Sequence, residues 1–319
     1  MRPVRPVNLA TFAALALTLA AGCVLADPAG FAVNSRGFAD EDDVHVLWRV
    51  DLDSGVTERI GQTGYLDLEG LALAPDGTLY GADDESKTLV TVNTASGFST
   101  AVGGVRSNMG VSIGQPMDFG MTFTCDGELL VSSDTERSLF LASLETGRLE
   151  RIGEAGSLGA PITDIAAFGD QLYGIGQGIT GADGDFSVDA PNLYRIDRDS
   201  ATTERIGSLG QAVLPYANAG LAFDVDGRLW ALTDRRENGV PDIPSEVLRV
   251  DLDTGRATKT ADADLVAVES LAIAPPSGCD GRGITIDEAP AIPATGPLGR
   301  SLMILMLMAA ALWSLARRP

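Results

Sequence analysis

Residues 220–234 read GLAFDVDGRLWALTD, two short apolar runs of alternating character joined across Asp226-Gly227. Alternation with a period of two marks a half-buried strand, and an Asp-Gly pair between two such runs marks a tight hairpin. The same unit is written at 70–84 (GLALAPDGTLYGADD), at 120–134 (GMTFTCDGELLVSSD) and, shortened, at 165–176 (IAAFGDQLYGIG). A second motif accompanies the copies, clearest at 47–61 (LWRVDLDSGVTERIG) and 193–207 (LYRIDRDSATTERIG).

Aligned on these motifs, the chain divides into units of four strands. Inner strands are expected at 69–74, 118–124, 164–168, 218–224 and 269–274, and second strands at 79–82, 129–132, 172–175 and 229–232. Third strands follow at 88–93, 139–144, 193–197 and 247–251, and outer strands at 99–102, 149–152, 203–206 and 257–260. The chain's start supplies a second, a third and an outer strand (30–34, 46–51, 57–60) with no inner one; its end supplies an inner strand with nothing after it. Complementary fragments close a ring, whereas an open solenoid would carry polar capping repeats. The expectation is an all-β protein: a five-bladed β-propeller of four-stranded blades over 27–276, with roughly 45–55 residues per blade.

The GLAFDVDGRLWA pattern resembles the repeats of exported bacterial propeller proteins of the NHL and gluconolactonase-like type, over most of residues 30–275. The resemblance implies the architecture and no particular activity, because propellers host many unrelated functions.

Both ends read as address labels. Arg2 and Arg5 precede the apolar run 10–21, and Val24-Leu25-Ala26 offers small residues before Asp27, so residues 1–26 read as a secretory signal peptide cut between Ala26 and Asp27. A rival reading takes Cys23, after Ala20-Ala21-Gly22, as a lipidation site. At the far end, a Pro/Gly-rich linker (277–299) leads to a C-terminal transmembrane or sorting helix (300–319) with a basic end. Its largely apolar stretch 301–316, 16 residues including Ser301 and Ser314, would rise about 24 Å, short of a hydrocarbon core about 30 Å thick. The stretch Ile292-Pro293-Ala294-Thr295-Gly296-Pro297-Leu298-Gly299 resembles the bacterial IPTL-CTERM sorting signal at Ile292, Pro293 and Gly299, and departs from it at Ala294, Thr295 and Leu298. The resemblance implies an exosortase-like processing enzyme as partner. The rival LPxTG-like reading of 292–296 (IPATG) implies a sortase-like one, and a plain membrane anchor is the third reading. All three place the domain outside the cytoplasmic membrane, at the cell envelope or surface.

Of the 23 basic residues, Arg2, Arg5, Arg300, Arg317 and Arg318 belong to these ends, leaving 18 against 44 acidic ones, a net charge near −26. Such a surface repels phosphate backbones and argues against nucleic acid as a partner. Once Cys23 leaves with the signal, Cys125 and Cys279 remain, an even pair that predicts a disulfide in an exported chain.

Topology sorts the loops. Inner-to-second and third-to-outer turns are short and share one face; the long connections 104–117, 176–191, 208–217 and 234–245 share the other. Binding concentrates in long loops on a rigid scaffold. Inner strands begin on that face, where Glu69, Asp118, Asp164, Asn218 and Glu269 align at the channel mouth, the alignment wobbling by one residue between blades. Converging hard oxygens suit Ca²⁺; a pair of carboxyls suits glycoside hydrolysis; strand caps bonded to neighbouring blades need neither. Asp183-x-Asp185-x₃-Asp189 is a fragment of a calcium-loop pattern within an Asp/Gly-rich loop. The single histidine, His45, begins a third strand, which leaves no Ser-His-Asp arrangement centred on the channel. There is no Walker-type or GxGxxG phosphate loop on a strand-to-helix turn, and no CxxC pair for zinc. The balance favours an exported, envelope- or surface-anchored binding module for a surface glycan or protein. A propeller hydrolase, glycosidase- or lactonase-like, working through the mouth carboxylates, is the alternative.

Overall fold

The computed structural model describes residues 28–35, 45–112, 117–178, 191–210, 213, 216–235 and 243–279. The signal-cleavage residues Ala26 and Asp27, the sorting-motif residues Ile292, Pro293 and Gly299, the tail and Asp183, Asp185 and Asp189 lie outside them. Among the described residues no helix is long and apolar enough to cross a membrane; the one helical turn is a 3₁₀ turn at Val102–Gly104.

The described residues form nineteen strands in five antiparallel sheets. Blade one holds β1 (Ala29–Asn34), β2 (Val46–Asp51) and β3 (Thr57–Gln62). Blade two holds β4 (Leu68–Leu73), β5 (Leu79–Asp83), β6 (Thr88–Val92) and β7 (Ser99–Ala101). Blade three holds β8 (Phe119–Phe123), β9 (Leu129–Ser133), β10 (Ser138–Ala142) and β11 (Leu149–Ile152). Blade four holds β12 (Ile162–Phe168), β13 (Gln171–Gly176), β14 (Asn192–Ile196) and β15 (Thr203–Ser208). Blade five holds β16 (Tyr216–Phe223), β17 (Leu229–Arg235), β18 (Ser245–Val250) and β19 (Ala257–Ala263).

The fourth strand of blade one comes from the chain's end. Ala272 and Phe31 exchange backbone hydrogen bonds (2.7 and 2.9 Å), and Ser35 N–H donates to Ala267 O at 3.0 Å. Between these points Ser270 Oγ, rather than a backbone carbonyl, accepts from Val33 N–H at 3.3 Å, so the closing segment pairs through isolated bridges and not a continuous ladder. The ring is a five-bladed β-propeller, closed as the repeat count requires.

Five apolar clusters fill the five seams between neighbouring blades. Trp230, 1% exposed, packs with Ala32, Val50 and Leu52 across the five–one seam, and its Nε1–H donates to Asp224 Oδ2 at 2.9 Å. At the axis the inner strands nearly touch. A Cβ on Gly120 would lie 2.3 Å from Asp164 Cα, and one on Gly220 would lie 2.3 Å from Leu271 N. The glycine that opens the repeat is therefore a requirement of ring closure.

The short-turn end is crossed by the last described residues of the chain. Pro275, Pro276 and Ser277 lie against inner-strand residues of all five blades around a cavity of about 30 Å³, about the space of one water. Gly169 N–H donates to Ser277 O at 2.8 Å, and the chain then reaches the Cys125–Cys279 disulfide, with Cα atoms 5.6 Å apart.

Candidate functional site

At the other end, the inner strands enter the channel from the long-loop face. Three of them carry a register shift at this entry: between Leu68 and Gly70, between Ile162 and Asp164, and between Tyr216 and Ala219. β8 runs regularly through Phe119. A bulge adds a residue and re-aims side chains, which is the physical source of the one-residue wobble in the sequence alignment.

The mouth brings together Glu69, Asp118, Asn218 and Glu269. Glu69 Oε2 accepts from Phe119 N–H of the next blade at 3.0 Å. The Asp118 carboxyl is hydrogen-bonded to the side chains of Glu69 and Asn218, and Asp118 N–H donates to Asp134 Oδ1 at 3.0 Å. Glu269 Oε1 accepts from Ser35 Oγ at 2.8 Å. Asp67, on the approach to β4, joins them: Asp67, Glu69 and Glu269 each offer a carboxylate oxygen, and these atoms all lie within 4.8 Å of one another.

So many carboxyls in one place raise each other's affinity for protons. Burial, then Asp84 and Asp83, push Asp67 up to about 6. Burial and Asp134 push Asp118 up to about 7, against the hydrogen bonds from Glu69 and Asn218. Glu69 and Glu269 are raised well above the usual carboxylate range, by burial first and by their acidic neighbours second. A buried cation stands near: Lys87 pairs with Asp84 and sits 5.5 Å from the centre of the Phe119 ring.

Asp164 does not join the mouth. Fully buried one step deeper, it ties three blades together: Oδ1 accepts from Met121 N–H (2.9 Å) and Ile165 N–H (2.8 Å), and Oδ2 from Leu221 N–H (2.6 Å). Burial raises its pKa, opposed by these three backbone donors. Alignment alone cannot separate a carboxylate that caps the channel from one that staples it.

Sequence reasoning passed over two features. Asp67 lies before the strand and outside the motif. The aspartates that end the repeats, Asp84, Asp134 and Asp234, are buried at the same end of the second strands. Asp84 accepts from Met117 N–H at 2.9 Å and Asp134 from Asp118 N–H, and Asp234 adds to the negative field at Glu269. Their signal was present, since the motif closes on Asp in three of its four copies.

No family model matches the chain, and no curated protein matches it. Among solved structures, the chain is similar to one described as "The de novo evolutionary emergence of a symmetrical protein is shaped by folding constraints", at 15% identity and a TM-score of 0.45, covering 78% of this chain and 99% of that one. It is also similar to hydrazine synthase of Kuenenia stuttgartiensis (14%, TM-score 0.40, 73% and 65% of the two chains). A third is a catalytically inactive variant of virginiamycin B lyase from Staphylococcus aureus, with quinupristin (12%, TM-score 0.39, 74% and 71%). At this identity and overlap they carry nothing about activity. The class, a five-bladed β-propeller, rests on the sheets themselves.

Proposed function

We propose that the chain is an exported β-propeller, held at the cell envelope or surface through its C-terminal tail, that binds a surface glycan or protein with its long-loop face. The observation that carries this reading is the asymmetry of the channel. One end is crossed by Pro275, Pro276 and Ser277, while the other gathers the polar chemistry of Asp67, Glu69, Asp118, Asn218 and Glu269. The Cys125–Cys279 bond supports an oxidising compartment, in keeping with residues 1–26 as a signal peptide. Cys279 leaves from the short-turn face, so a tail read by an exosortase-like or sortase-like enzyme through Ile292, Pro293 and Gly299 would hold that face to the envelope and turn the mouth outward.

The test is a glycan array and a panel of purified envelope proteins probed with the full chain. Binding lost in Asp118→Asn and kept in the short-turn-face variant Arg198→Ala supports the reading; binding insensitive to the mouth overturns it. A hydrolase is the second reading. It is favoured by the hydrogen-bonded Asp118–Glu69 pair, in which Asp118 is pushed up to about 7, within the range of a general acid at neutral pH. Turnover of chromogenic glycosides or lactones that disappears in Asp118→Asn would support it.

A further inference from the structure

A cleft of about 540 Å³ opens at the long-loop rim of the seam between blades three and four. Its lining includes Arg137 from the β9–β10 turn, Pro161 at the entry to β12, Gln177 after β13, and Asn192, Tyr194 and Arg205 of β14 and β15. The chain has 44 acidic residues against 23 basic ones, yet no carboxylate is among the described residues that line this cleft. The acidic neighbours in sequence are engaged elsewhere. Glu136 pairs with Arg151 at 2.6 Å, and Glu204 pairs with Arg195 at 3.8 Å. Strand alternation puts Glu204 and Arg195 on one face of blade four, and Arg205 beside its cross-strand partner Tyr194 on the other. Arg137 and Arg205 therefore have no ion pair among the described residues.

The walls are tied in place without a ligand. Leu158 N–H donates to Arg137 O (3.0 Å), Thr203 Oγ1 to Leu158 O (2.8 Å), and Gln177 N–H to Pro161 O (2.9 Å). Gly176 leaves room for the Tyr194 ring, since a Cβ there would lie 3.1 Å from Tyr194 Cε2. The Tyr194 hydroxyl oxygen accepts from Asn192 Nδ2 at 3.5 Å, which leaves its proton for a ligand oxygen. Asn192 is 4% exposed, and its Oδ1 has no donor among the described residues. That wall lacks a proton, which a hydroxylated ligand carries and a simple anion does not.

We propose that this cleft is a binding site for an acidic sugar, a ring that bears a carboxylate and free hydroxyls. Arg137 and Arg205 take the carboxylate, for which the planar guanidinium fork is suited. The Tyr194 ring offers an apolar surface to the sugar ring, and its hydroxyl, with the amides of Gln177 and Asn192, meets the sugar hydroxyls. The site uses none of the residues of the channel mouth, so it stands or falls apart from them.

The full chain is titrated by calorimetry with a trimer of galacturonic acid, the methyl ester of that trimer, tri-glutamate and sodium sulfate. Binding of the acid trimer is expected, weakened about tenfold or more by Arg137→Gln, by Arg205→Gln and by esterification. Arg195→Gln, on the opposite face of the same blade, should leave the affinity unchanged, as should Asp118→Asn. Arg137 and Arg205 are exposed, so the Gln variants should keep the fold, which an unchanged Tm verifies. An absence of heat with millimolar acid trimer overturns the site, and so does equal affinity for the ester or for tri-glutamate. An affinity untouched by both Gln variants overturns it too, as does sulfate binding without trimer binding. Trimer binding lost in Asp118→Asn but kept in Arg205→Gln supports the mouth and defeats the cleft; the reverse pattern supports the cleft and counts against the mouth.

Discussion

At the short-turn end of the channel, Pro275 to Ser277 lie across the inner strands and Cys279 is bonded to Cys125. At the long-loop end, Asp67, Glu69, Asp118 and Glu269 face one another. Both ends are built from the same five inner strands, and they differ in what satisfies the buried groups. The closed end is apolar packing with a covalent latch. The open end gathers carboxyls that raise one another's affinity for protons. Asp164, between them, shows how a buried carboxylate is accommodated when the protein itself supplies the partners: three backbone N–H groups from three blades converge on it. What distinguishes the mouth from Asp164 is its company: Glu69, Asp118 and Glu269 lie within one another's field, whereas backbone N–H groups alone oppose burial at Asp164.

The sharpest way to break this comparison is at Asp164. Asp164→Ala leaves three buried N–H groups without acceptors and should cost about 3–5 kcal/mol, read as a fall in the urea midpoint. A variant as stable as the parent would mean that water replaces the carboxylate and that the staple is not structural. Next in size is the latch. Replacing Cys125 and Cys279 by Ser opens a bond between residues 154 apart in sequence and should cost about 2–4 kcal/mol. Stability unchanged on reduction would leave the closed end to apolar packing alone.

The ring was readable because hydrophobic alternation, turn chemistry and strand count all agree. GLAFDVDGRLWALTD specifies two strands and their turn, and Gly227 adopts the left-handed φ of +76° that the turn requires. The strands at the chain's two ends are incomplete in complementary ways, which specifies closure. The disulfide was readable by elimination of Cys23. The mouth was readable only as a region. Bulges at the entries of β4, β12 and β16 decide which side chain enters the channel, and a bulge is a property of paired strands that one strand's sequence does not encode. Asp67 was missed for that reason, and Asp164 was grouped with residues lying above it.

A third prediction reverses the sign of the first. At a pH where both are ionised, the double variant Glu69→Gln, Glu269→Gln removes two like charges from the mouth while each Gln keeps an acceptor for Phe119 N–H or Ser35 Oγ. The variant should gain about 1–2 kcal/mol over the parent at that pH, read as a rise in the urea midpoint. Substituting carboxyls at the two depths would then move stability in opposite directions. A loss at both depths would show that the mouth carboxyls are held as Asp164 is, and the distinction between the two would fall.

The smallest effect tests the other class of acidic residue, the turn aspartates of the short-turn face. Asp251 Oδ1 accepts from Thr254 N–H (2.8 Å) and Thr254 Oγ1 (2.6 Å). Asp197 Oδ1 accepts from Ser200 N–H (2.8 Å), Ser200 Oγ (2.7 Å) and Asp199 N–H (3.2 Å). Hydrogen bonds from the residue three positions on hold both carboxyls below the usual value of 3.8, opposite in direction to the mouth. A lowered pKa means that the folded turn favours the ionised form, so the contribution is full above the unfolded pKa and is lost as pH falls through the lower folded value. Asn at both positions keeps the acceptor oxygen and removes only the charge. The double variant should melt slightly below the parent at pH 6, and the gap should close as pH falls below about 4. Melting curves of the two proteins between pH 2.5 and 6 decide the point. A gap that persists at pH 2.5 would assign these aspartates to turn geometry alone, with charge contributing nothing.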